Sequence, residues 1–107
     1  MTIVDTGDEA LEEVIKNNKI VLVDFWAPWC GPCRTLGEIL EQLDEKIGDR
    51  AVIAKVNIDR HPASAIKHQM MGIPALRLFV DGMERESLLG VQPLHKLQEL
   101  IEKYAES

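Results

Sequence analysis

Hydrophobic and polar positions follow two different rhythms along this chain. From Ile20 to Trp26 the residues IVLVDFW form a nearly unbroken apolar run, β-branched and aromatic, interrupted only by Asp24. Such a run predicts a strand buried on both faces. After Pro32 the period lengthens: Cys33, Leu36, Leu40, Leu43 and Ile47 share one helical face, and Gly48-Asp49 closes it. Residues 51–58 return to a buried strand. Strand, helix and strand with short joins predict a βαβ unit with a right-handed crossover. Upstream, Thr6-Gly7-Asp8-Glu9 has the form of a capping box, with Thr6 as N-cap and Glu9 reaching back. Leu11, Val14 and Ile15 give the following short helix its apolar face, and Asn17-Asn18 ends it. Downstream, Asp59 is expected to cap a short helix that holds Pro62 in its first turn and runs to about Met70. Ala75–Val80 and Met83–Leu89 flank Asp81-Gly82, a strong type I′ hairpin signal. Beyond Gly90, the residues Leu94, Leu97, Leu100, Ile101 and Tyr104 mark a terminal amphipathic helix. An α/β unit followed by a hairpin and a helix implies a mixed sheet with helices on both faces.

Size and charge narrow the partners. A chain of 107 residues predicts one domain, residues 1–107, with no repeat or linker. Its 46% hydrophobic and 28% charged content is that of a globule with a real core. The net charge of −6 argues against nucleic acid and against an anionic membrane surface, both of which need basic patches. No run is long enough to span a bilayer. Residues 1–9 show neither a basic n-region nor an apolar h-region, so a cytoplasmic protein is expected. A structural disulfide is improbable in that reducing compartment. The two cysteines therefore need another explanation.

They lie in Phe25-Trp26-Ala27-Pro28-Trp29-Cys30-Gly31-Pro32-Cys33, at the junction of the buried strand and the long helix. Pro32 is tolerated in a first helical turn because its missing N–H would be unpaired there anyway. Cys30 then falls at or near the N-cap. A thiolate at that position meets the positive end of the helix dipole and free backbone donors, which lowers its pKa. Cys33 lies one turn in and is less accessible. One thiol is poised to attack and the other to resolve, the asymmetry that thiol–disulfide exchange requires. A zinc site needs four ligands, and His61, His68 and His95 do not supply zinc-finger spacing. Two inert core cysteines would fit a CxxC alone, but not one that follows a buried strand and opens a helix.

Val23-Asp24-Phe25-Trp26-Ala27-Pro28-Trp29-Cys30-Gly31-Pro32-Cys33 resembles the active-site signature of the thioredoxin family. Lys55-Val56-Asn57-Ile58-Asp59, Gly72-Ile73-Pro74, Phe79, Asp81-Gly82 and Gly90 extend the resemblance over nearly the whole chain. It implies the thioredoxin fold, a central mixed five-stranded sheet flanked by four helices. It implies a general protein-disulfide reductase with no bound cofactor other than a redox-active Cys30–Cys33 disulfide. Cys30 would attack a protein disulfide and Cys33 would resolve the mixed disulfide. Electrons would come from a thioredoxin reductase, since the chain has no nucleotide or flavin fingerprint. A monomer is expected.

Two charged residues interrupt the apolar strands. Burial makes Asp24 expensive to ionise, so its pKa should rise toward the range useful for proton exchange near neutral pH. Lys55 should sit near it. From the residues alone, a structural ion pair and a catalytic base are equally open. The resemblance makes Asp24 the group that takes the proton of Cys33, with Lys55 beside it. It also places Trp29, Gly31, Pro32, Ile58, Ile73, Pro74, Gly90 and Val91 around the cysteines as an apolar substrate contact. Pro74 is expected to be cis, and the Ile73 backbone to pair with an extended substrate segment. Trp26 reads as core support, and the histidines as surface residues.

Two positions depart from the family pattern. Glu38, after Gly37, stands where the long helix normally carries proline, and Ala75 stands where threonine normally follows the cis proline. They leave room for a specialised relative with a retuned redox potential. A second alternative is a binding module, in which the apolar rim docks a partner and the thiols are incidental. An oxidase or isomerase is disfavoured by the Gly31-Pro32 pair.

Overall fold

The computed structural model describes residues 2–106. Among these, five strands and four α-helices follow in the order β1 (Ile3–Asp5), α1 (Glu9–Asn17), β2 (Ile20–Trp26), α2 (Gly31–Ile47), β3 (Val52–Asn57), α3 (Pro62–Lys67), β4 (Ala75–Val80), β5 (Met83–Leu89) and α4 (Leu94–Ala105). The strands form one sheet in the order β1-β3-β2-β4-β5. β1, β3 and β2 are parallel, while β4 runs antiparallel to both β2 and β5. This is the mixed five-stranded sheet with four helices that the resemblance implies.

The period-2 alternation of β2 divides the core. Ile20 and Leu22 face one side, where they meet Leu36, Leu40, Leu43 and Ile47 of α2 and Leu97, Ile101 and Tyr104 of α4. Val21, Val23 and Phe25 face the other, against Leu11 and Ile15 of α1. Each fully buried leucine contributes on the order of 2 kcal/mol of transfer free energy. The same alternation sends Asp24 to the α2 side. Lys55 follows Ile53 onto that side of β3 by the same rule.

The sheet has two open edges of different kinds. β1 is only three residues long. β5 is seven residues long and largely exposed, and its pairing with β4 slips at Leu78/Phe79. The hairpin joining β4 to β5 turns at Asp81 and Gly82 with φ of 52° and 83°, as the Asp-Gly signal predicts.

Three boundaries depart from the pattern reading. The strand β1 offers no alternation to read; its register to β3 is set by backbone pairing from Ile3 with Ile53 to Asp5 with Lys55. The N-cap of α1 is Asp8, not Thr6, because the Thr6 N–H extends that pairing by donating to the Lys55 carbonyl at 2.9 Å. Asp8 instead ties α1 to α3. Its carboxylate accepts from the Ser64 N–H and hydroxyl at 3.3 and 3.2 Å and lies 3.1 Å from His61 Nδ1. The His61 contact, with smaller help from Ser64, holds the Asp8 carboxyl below its ordinary pKa. A Cβ at Gly7 would lie 2.2 Å from the His61 ring, so any larger residue there would displace that ring. Finally, α3 is capped by His61 rather than Asp59 and ends at Lys67, short of Met70.

Candidate active site

The strand β2 delivers Trp26 and the loop 27–29 to the start of α2, where Cys30 is the N-cap and Pro32 lies in the first turn. Cys30 and Cys33 are joined in a disulfide. The Cys33 N–H donates to Cys30 Sγ at 3.2 Å. The first turn of this 17-residue helix carries no acidic residue, so nothing there offsets the positive end of its dipole. Both cysteines are nearly buried, at 6% and 4% exposure, and pack with Ala27, Trp26, Ile58 and Ile73. Gly31 and Pro32 are exposed between them.

The Ile73-Pro74 peptide is cis. The Pro74 carbonyl accepts from the Gly90 N–H at 2.8 Å, which fixes the turn after β5 beside the proline. Ile58 and Ile73 thus touch the cysteine cluster directly, and Gly90 is tied to Pro74, the residue that follows Ile73. Val91 follows as an exposed apolar residue. Trp29 is 67% exposed, and its indole N–H donates to the Asp59 carboxylate at 3.2 and 3.3 Å. Asp59 therefore holds a tryptophan at the rim instead of capping α3. Its position directly after Ile58, at the carboxyl end of β3, was the available signal. Arg34 is another contributor that the motif does not mark: its guanidinium donates to the Pro28 carbonyl at 3.1 Å and braces the loop before Cys30.

Asp24 has no exposed surface, and neither carboxylate oxygen has a hydrogen-bond partner among the described residues. Desolvation raises its pKa to about 7, against the opposing pull of the Lys55 charge. Lys55 is its cross-strand neighbour on β3, and Leu76 flanks it on β4. The two charges form no close ion pair among the described residues; the Lys55 ammonium lies over the Trp26 ring, 5.1 Å from its centroid. A cleft of about 260 Å³ opens beside Lys55, lined by Cys33, Gly37, Glu38 and Glu41 among others. It connects Cys33 with Lys55, the cross-strand neighbour of Asp24. The helix α2 is continuous through Gly37-Glu38.

The thioredoxin family profile matches residues 2–103. The chain belongs to the thioredoxin family. The thioredoxin of Bacillus subtilis is 39% identical over 104 residues, covering 97% of this chain and 99% of that protein. The thioredoxin of Rhodospirillum rubrum is 43% identical over 91 residues, 85% of this chain and 88% of that one. Among solved structures, a mutant thioredoxin from Halobacterium salinarum superposes with a TM-score of 0.90 at 38% identity, covering 98% of this chain and 92% of the other. The chain is thus a thiol–disulfide oxidoreductase of the thioredoxin type, a protein-disulfide reductase whose redox pair is Cys30 and Cys33.

The histidines fall apart from this site. His68 is not a surface residue: its side chain is 10% exposed, lies between the Phe25 and Phe79 rings, and has Nε2 3.3 Å from Glu12. His61 pairs with Asp8 instead. No group of three or more His, Cys, Asp or Glu side chains suited to a metal occurs among the described residues. No helix among them is long and apolar enough to cross a membrane.

Proposed function

We propose that Cys30 is the attacking thiol and Cys33 the resolving one, in a cytoplasmic cycle of protein-disulfide reduction. The observation that carries this reading is Cys30 at the N-cap of α2, its sulfur accepting the Cys33 N–H. In the reduced protein the same donor and the helix dipole favour the Cys30 thiolate. That thiolate attacks one sulfur of a substrate disulfide and expels the other as a thiolate, leaving Cys30 in a mixed disulfide. Cys33 then loses its proton and attacks Cys30. The substrate leaves as a dithiol, and the protein retains the Cys30–Cys33 disulfide. Two electrons pass to the substrate in each cycle. A separate thioredoxin reductase returns them, which makes this one-domain chain a carrier in electron transport.

Asp24 is the acceptor of the Cys33 proton in this scheme. With a pKa of about 7 it is divided between its two forms at neutral pH, the condition for giving and taking a proton. Lys55 keeps that value from rising further. The cleft lined by Cys33 and Lys55 brings solvent to that thiol and to the cross-strand neighbour of Asp24. Substrates dock as extended segments on the Ile73 backbone, with Trp29, Gly31, Pro32, Ile58, Pro74, Gly90 and Val91 forming the surrounding rim.

The test is a trapping experiment with disulfide-bearing proteins. Cys33→Ser should accumulate mixed disulfides through Cys30, and Cys30→Ser should accumulate very few. Equal trapping by both variants would overturn the assignment of attacker and resolver.

A further inference from the structure

The parallel strands β1, β3 and β2 end side by side, and a second cleft of about 530 Å³ opens there. The crevice outside the carboxyl ends of parallel strands is where open α/β sheets bind ligands. Its lining gives the position chemical meaning. Lys55 and Arg60 both line it, and neither makes an ion pair among the described residues. His61 and Asn57 add two more polar side chains, and Trp26 forms part of the wall. Asp5 is the one carboxylate on the lining among the described residues, and Asp8 holds His61 Nδ1 from behind. The cleft therefore sets two cationic side chains, Lys55 and Arg60, against one lining carboxylate, on a chain whose net charge is −6, with Asp24 as the cross-strand neighbour of Lys55. It is also distinct from the disulfide corner: neither cysteine lines it.

We propose that this cleft binds a small oxyanion, a phosphate or carboxylate group, between Lys55 and Arg60. A planar guanidinium beside an ammonium suits such a group, because the first donates in a fixed fork and the second acts as a point charge. The Asp5 carboxylate favours a ligand that also carries a donor, such as the hydroxyl of a phosphate monoester. Binding would be coupled to the redox site through Lys55, which lies on both clefts. An anion held on Lys55 offsets the positive charge that favours ionised Asp24, so Asp24 should hold its proton to higher pH when the cleft is filled. By linkage, the anion should bind more tightly when Asp24 is protonated. Other charges facing the cleft are Asp5, Arg60 and His61 with its partner Asp8, while Arg34, Glu38 and Glu41 of α2 face Lys55 on the cleft beside Cys33; none of these lies on β2 with Asp24.

The experiment is a magnetic-resonance titration of the oxidised protein with inorganic phosphate at constant ionic strength, with succinate as the carboxylate arm and chloride as control. The Trp26 indole N–H and the amides of Thr6, Asn57 and His61 report on the cleft, and the Asp24 carboxyl carbon reports its titration. The expected result is saturable change at these probes with a dissociation constant on the order of 1 mM. The Asp24 midpoint should rise by about half a pH unit on saturation. Arg60→Gln should weaken binding about tenfold and leave disulfide reduction intact, since Arg60 lies outside the cysteine corner. Tighter binding of phosphate than succinate would assign a phosphate ester, and the reverse order a carboxylate. Shifts that fail to saturate, that chloride reproduces, or that survive Arg60→Gln unchanged would overturn the site. Saturable binding with an unmoved Asp24 midpoint would overturn the coupling.

Discussion

Two aspartates are buried among the described residues, and the structure treats them in opposite ways. Asp44, on α2, is 7% exposed and is met by Thr2, whose N–H donates to it at 3.1 Å and whose hydroxyl bonds the same oxygen. Asp24, on β2, is fully buried and meets no donor among the described residues. The first ties the chain's beginning to the long helix. The second has no hydrogen-bond donor among the described residues, only the charge of Lys55 across the strands. A satisfied buried carboxylate is a structural fastening, while an unsatisfied one stores a proton at a pH where chemistry is done.

This contrast can be broken or sharpened by substitution. The largest effect is expected from Asp24→Asn on stability. A carboxyl whose pKa is raised on folding makes the native state bind more protons than the unfolded chain, so stability falls as pH rises. The loss begins near the ordinary value of 3.8 and is complete above the folded value of about 7. The difference corresponds to about 4 kcal/mol. Denaturant unfolding should therefore show Asp24→Asn gaining about that much over the parent at pH 8 and almost nothing at pH 4. A gain independent of pH would mean that burial of the charge is not its source.

The same variant should be a poorer enzyme. Without an acceptor for the Cys33 proton, resolution of a preformed mixed disulfide should slow about 100-fold at pH 7 in stopped-flow release of substrate. An unchanged rate would make Asp24 a second structural carboxylate after all. Asp44→Ala should behave in the reverse manner, losing about 1–3 kcal/mol of stability and leaving the resolution rate alone. Least of all, Lys55→Met should raise the Asp24 titration midpoint by about 1 unit, followed by its carboxyl resonance, since the opposing charge is removed.

The pattern of the chain made some of this legible and hid the rest for physical reasons. The apolar run with a lone Asp24 was readable because one charge among six apolar residues has few innocent explanations. Asp44 was invisible, since acidic residues on a helix are ordinarily solvated and its partner lies 42 residues away at Thr2. The edge strand β1 escaped because three half-exposed residues carry no periodic signal. Asp59 resembled a helix cap in sequence, but its carboxylate went to the Trp29 indole, a contact 30 residues distant. His68 shows the same blindness: only the fold reveals that two phenylalanine rings enclose it. Local chemistry was read correctly where neighbours in sequence supplied it, and missed where neighbours in space did.

The two edges of the sheet carry a consequence for the protein's company. A reductase of disulfides spends its working life among loose and half-folded chains, whose extended backbone seeks any open strand to zip onto. One edge here is too short to template growth. The other presents Glu84, Arg85 and Glu86 and breaks its pairing register, both of which discourage a stray strand from adding to it. Both edges thus leave the molecule poorly suited to seeding the aggregation of the chains whose disulfides it reduces.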